Sequence, residues 1–134
     1  MSKRTITISN RQPVTIDEDN WPVIAEAKDF EHDGQVECQA NRRSSWCCKV
    51  RQHEDGRAIV YAVYQYTTNW QNARDYSAKA GRLLPVGSTY EDISRAITNV
   101  CYEIAEREHN GDDSLRWQTI EADCIADLPA EELD

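Results

Sequence analysis

The chain has 134 residues, 40% hydrophobic and 29% charged, a size and balance that suit one globular domain with its own core and exclude a disordered or fibrous chain. Its net charge of −9 is divided along the sequence: residues 1–11 carry +3, 12–37 carry −7, 38–90 carry +5 and 91–134 carry −10. Solubility and attraction between segments account for such a division, and either sign can also serve as a docking surface.

The opening MSKRTITIS has no apolar run long enough for a signal peptide or a membrane span, so the expected setting is cytoplasmic, away from membranes, with reduced thiols. The five cysteines (Cys38, Cys47, Cys48, Cys101, Cys124) contain no C-x-x-C pair, and the adjacent two point to opposite faces of a strand. His32, His53 and His109 are scattered. Neither a metal site nor a cofactor is expected.

Thr5 to Ser9 alternates Ile6 and Ile8 with hydroxyl residues, a short strand ended by Pro13. Thr15 and Glu18 fit a capping box, with Asp17 and Asp19 suited to a helix N-terminus. Pro22 then limits the helix to one turn near Asp17 to Asn20, although a kinked helix continuing to Lys28 also fits. Val23 to Glu31 and Gln35 to Ala40 read as a hairpin around Asp33-Gly34, which sets Asp29 against Glu37, an unfavourable like-charge pair.

The central stretch, Ser44 to Thr68, reads as a long hairpin turning at Glu54-Asp55-Gly56. A two-residue and a three-residue loop both fit. The three-residue loop separates the faces better, placing Trp46, Cys48, Val50, Val60, Ala62 and Tyr64 on a core face. Lys49, Arg51, His53 and Arg57 then share the other face with Ile59, Tyr61 and Val63. Thr68 to Ser77 is polar, and Ala78 to Leu84 is one more edge strand, weakened by Gly81.

A long helix follows, with Ser88 and Glu91 as its capping box. Ile93, Ala96, Ile97, Val100, Cys101, Ile104 and Ala105 recur at helical spacing, and Glu91–Arg95 and Glu103–Arg107 form spaced ion pairs. Asn110-Gly111 stops it, and Ser114 to Cys124 is a shorter helix burying Leu115, Trp117, Ile120 and Cys124. The expected architecture is a single α+β domain over residues 1–134: an antiparallel β-meander of about five strands with one long and one shorter helix packed on one face.

Chemistry is sparse. Cys47 and His53 share a face, but six residues of strand separate them by roughly 20 Å, too far for a nucleophile and its base. Phosphate-binding glycine motifs and an EF-hand pattern are absent from the sequence, so no enzyme is expected. Two charged surfaces remain. Asp17, Glu18, Asp19, Glu103, Glu106, Asp112 and Asp113 can form an acidic surface that occupies a phosphate groove on a basic partner. Arg42, Arg43, Lys49, Arg51 and Arg57 can form a β-ribbon for nucleic acid, which requires Arg51 and Arg57 to be exposed together. Against that, these cations can pair with the acidic helices and lie over Ile59 and Tyr61.

Three stretches, PVTIDEDNWPVIAEA (13–27), VRQHEDGRAIVYAVY (50–64) and ADCIADLPAEEL (122–133), resemble small proteins carried on bacterial plasmids and phages. Small acidic α+β proteins from that setting include anti-CRISPR proteins. The resemblance implies a non-enzymatic binding protein that inhibits a host nucleic-acid-handling complex, with a basic nucleic-acid-binding protein or a Cas complex as partner. It transfers no functional residue. The alternative is a nucleic-acid-binding accessory protein of a mobile element that uses the basic hairpin. A third reading is an interaction module, such as a homodimer joined through an exposed sheet edge.

Overall fold

The computed structural model describes residues 2–36, 40–68, 76–107 and 116–129, with side chains described for all of these except 30–36, 40–44, 67, 68, 76 and 116. In chain order the elements are β1 (Lys3–Ile6), β2 (Val14–Asp17), a 3-10 turn (Glu18–Asn20), β3 (Val23–Val36), β4 (Ala40–Gln52), β5 (Ala58–Thr68), β6 (Tyr76–Leu84), α1 (Tyr90–Arg107) and α2 (Arg116–Ala126). Strands β3 to β6 form an antiparallel meander in sequence order, and β1 and β2 form a separate two-stranded sheet. The fold class is α+β, with both helices on one face of the four-stranded sheet.

The β4–β5 hairpin has the three-residue loop. Trp46 lies opposite Tyr64, Cys48 opposite Ala62 and Val50 opposite Val60. His53 N–H donates to the Arg57 carbonyl at 2.9 Å, and Gly56 takes the φ of 102° that closes such a loop. The six residues assigned to the core face are all buried.

Helix α1 packs on β5 and β6, α2 packs on β3 and β4, and the two helices touch each other. From α1, Ile93, Ala96, Ile97, Val100, Cys101 and Ile104 enter the core; from α2, Ile120 and Cys124 do. Each fully buried aliphatic side chain contributes about 2 kcal/mol, so this seam dominates the stability of the fold. Cys48, Cys101 and Cys124 meet in it, where hydrogen bonding from Cys101 and Cys124, and then burial, hold the Cys48 thiol well above its usual range.

The opposite sheet face is covered too. Ile59 and Tyr61 alternate with the core residues of β5 and pack under Ile6, Ile8, Ile16 and Trp21. The N-terminal ribbon therefore forms a third layer, which the sequence reading lacked. Ser9 extends it to the edge of the sheet: its N–H donates to the Gly81 carbonyl at 3.0 Å, and its hydroxyl accepts the Gly81 N–H at 3.2 Å. A Cβ on Gly81 would stand 2.2 Å from the Thr7 carbonyl oxygen, so close approach of two backbones explains this glycine.

Three local assignments are corrected. The chain does not turn at Asp33-Gly34; β3 runs through it to Val36, with a register shift between His32 and Gly34 and pairing that continues to Val36 opposite Ala40. A glycine inside a strand here marks a bulge rather than a turn. Asp29 consequently lies opposite Trp46, not Glu37. The 3-10 turn is capped by Asp17, whose carboxylate accepts the Asp19 N–H, while Thr15 sits in β2 opposite Thr5. Helix α1 is capped reciprocally by Thr89 and Asp92, and the Ser88 hydroxyl donates instead to the Pro85 carbonyl.

Candidate functional site

The structure does not gather the sequence-assigned acidic residues into one patch. Asp17 and Glu18 lie with the N-terminal layer, where Arg4 Nε reaches Glu18 at 2.7 Å. Glu103 and Glu106 lie on α1, on the other side of the sheet. Glu103 is largely buried and takes three donors: the Ser9 hydroxyl at 2.8 Å, Arg82 at 2.9 Å and Arg107 at 2.9 Å. It locks the N-terminal segment, β6 and α1 together and cannot also be a docking group. Glu106 is exposed and accepts the Tyr102 hydroxyl, which raises the Tyr102 phenol above its usual range. Asp19 is exposed. Asp112 and Asp113 lie outside the described residues, as does Cys38.

The basic platform is corrected more sharply. Arg51 is only 5% exposed. Its Nε donates to the Tyr61 hydroxyl at 2.9 Å and its Nη1 to the Trp21 carbonyl at 3.0 Å. Arg57 is exposed, but its guanidinium lies 5.1 Å from the Trp21 ring and its Nε bonds Asp55 at 2.8 Å. Lys49 stands 3.9 Å from Glu26. Arg42 and Arg43 occupy β4 positions opposite Thr68 and Thr67. Arg51 and Arg57 are therefore not exposed together, because Trp21 roofs the first and stacks on the second. Lys49, Arg51 and Arg57 find partners within the sheet layers rather than on the helices.

A different feature emerges at the end of the sheet where β3 begins, β4 turns into β5, and β6 leads into α1. There a cleft of about 980 Å³ runs between Ile24, Gln52, the first turn of α1 and the end of α2. A second cleft of about 550 Å³ adjoins it through the same Ile24 and Gln52 and continues past Asp19 to His53 and Glu54. The floor of the larger cleft is apolar, with Ile24, Ile93, Ile125 and Leu128. Glu91 supplies its charge, Asp19 and Glu54 supply that of the adjoining cleft, and no lysine or arginine is among the described residues that line either.

The walls are held in place by local structure. Thr89 and Asp92 fix the first turn of α1, leaving Tyr90 56% exposed at the rim. Val86, also at this end, is 61% exposed and lies beside Gly56 of the β4–β5 loop. At the other wall, α2 ends as Leu128 turns back into the core and Pro129 prevents another turn. The Asp127 carboxylate accepts the Glu26 N–H at 2.9 Å, pinning this end of α2 to the edge of β3.

Sequence reasoning missed this groove because its walls come from four separated segments. Most of the lining residues fall in the short segments 19–24, 52–56 and 125–129, and nothing local in the sequence links these to one another. The remaining wall, Thr89 to Ile93, is the start of α1. Among the described residues no group of histidine, cysteine or carboxylate side chains is placed to hold a metal ion, and no helix is long and apolar enough to cross a membrane. Comparison of the chain with protein-family models, curated proteins and solved structures found no match.

Proposed function

We propose that the protein acts by binding: a non-enzymatic inhibitor of a host nucleic-acid-handling complex, in the manner of an anti-CRISPR protein, with a basic protein surface as its target. The observation that carries this reading is how the two signs of charge are used. Arg4, Arg57, Arg82 and Lys49 each face a carboxylate of the same chain, and Arg51 is buried. The surplus carboxylates of a chain with net charge −9 are what remains to face a partner. Such a field speeds encounter with a basic surface and repels free nucleic acid. Burial of Arg51 also removes the central residue of the competing nucleic-acid reading.

The test is capture of partners from bacterial lysate by the tagged protein, with and without nuclease, followed by competition with nucleic acid on the purified target. A complex that survives nuclease and loses its nucleic acid as the protein is added is the expected result. Capture that vanishes with nuclease would transfer the reading to direct nucleic-acid binding. No capture in either case would end it.

A further inference from the structure

We infer that the groove at the turn end of the sheet docks a short basic amphipathic segment of the partner, an apolar anchor on the cleft floor flanked by lysine or arginine at the rim. The inference rests on the binding reading above and names where and what it binds. Three features argue for this occupant. The floor formed by Ile24, Ile93, Ile125 and Leu128 offers the desolvated apolar seat that an anchor side chain needs. Tyr90 stands exposed at the rim, where an aromatic gives contact area at little entropic cost. Glu91 is exposed beside that floor, and Asp19 and Glu54 are exposed along the adjoining cleft, with no lysine or arginine among the described lining residues.

Charge decides between occupants. A nucleic acid would bring phosphates against three carboxylates. A second copy seated by two-fold symmetry would set the same carboxylates against themselves. A basic segment satisfies the rim and the floor together, and its binding weakens with salt without vanishing, because the apolar seat is insensitive to screening.

Labelled leucine–lysine, serine–lysine and leucine–glutamate peptides test this against the full-length protein, read by fluorescence anisotropy and amide shift mapping. The leucine–lysine peptide should bind and shift the groove amides selectively, with the serine–lysine peptide at least about 10-fold weaker. Tyr90→Ser combined with Glu91→Lys, both at exposed positions, should weaken it by about 10-fold or more, while Glu106→Lys should leave it unchanged. Equal binding of the serine–lysine peptide, shifts spread over the surface, or groove shifts that follow protein concentration alone would overturn the inference. The last would make a second copy the occupant. Where the wild type captures a nuclease-resistant complex, unchanged capture by the Tyr90–Glu91 double variant overturns the groove but not the binding reading. Where it captures none, the binding reading fails and the peptides alone decide the groove.

Discussion

The Arg51 guanidinium donates from Nε to the Tyr61 hydroxyl at 2.9 Å, two residues diagonal across β4 and β5, beneath the carbonyl of Trp21. A cation assigned to the surface by its strand position thus joins the N-terminal layer to the sheet. Arg51→Met should lower stability by about 1–3 kcal/mol, since the Tyr61 hydroxyl and the Trp21 carbonyl both lose a charged donor. Tyr61→Phe should cost about 1 kcal/mol, and the double variant less than the sum. Denaturant midpoints measure all three. Unchanged stability in Arg51→Met would mean that the guanidinium reaches solvent after all.

Gly81→Ala should destabilise the fold by roughly 1–3 kcal/mol, because the new methyl must displace the Thr7 carbonyl oxygen. Release of the N-terminal segment should accompany the loss. Hydrogen exchange at the Ser9 amide is the direct readout, and it should speed up more than exchange in α1.

The cap of α1 predicts a pH dependence. Hydrogen bonds from the Thr89 backbone and side chain hold the Asp92 carboxyl below its ordinary value of 3.8. A lowered folded-state value means that the stabilisation is present above about pH 4 and is lost as the pH falls through the folded value. Thr89→Ala removes the side-chain acceptor of the Asp92 N–H and should cost about 1 kcal/mol at neutral pH, as loss of an N-cap does. The gap between wild type and Asp92→Asn should narrow as the solution is acidified below that range, followed by thermal melts from pH 7 to pH 2.

Thiol reactivity tests the seam between helices and sheet. Cys48, Cys101 and Cys124 are buried, whereas Cys47 is half-buried on the other face of β4. Burial raises the Cys47 thiol as well, so its reaction should be slow. In a Cys38→Ser background, a disulfide reagent near neutral pH should modify only Cys47 in the native protein. The other three should react only on unfolding. Rapid native reaction of more than one thiol would show that the seam opens.

The sequence alone determined the features governed by near neighbours. The Asp55-Gly56 turn and the alternation on either side favour pairing Trp46 with Tyr64, because the three-residue loop separates apolar from basic residues more cleanly than the two-residue alternative. Apolar spacing from Ile93 to Ile104 specifies α1 and its buried stripe in the same way. Tertiary structure decided what depends on segments far apart in the chain. Asp33 becomes the extra residue of a register shift because β3 and β4 keep pairing beyond it, a gain that outweighs the local turn preference of Asp33-Gly34. Arg51 is buried and Glu103 occupied because Trp21 and Ser9, distant in sequence, fold over them. The groove exists only once the beginning of β3, the β4–β5 loop and the ends of two helices share one end of the sheet. Local patterning sets which way a side chain points; what covers it is settled by long-range packing, on which neighbouring residues carry no information.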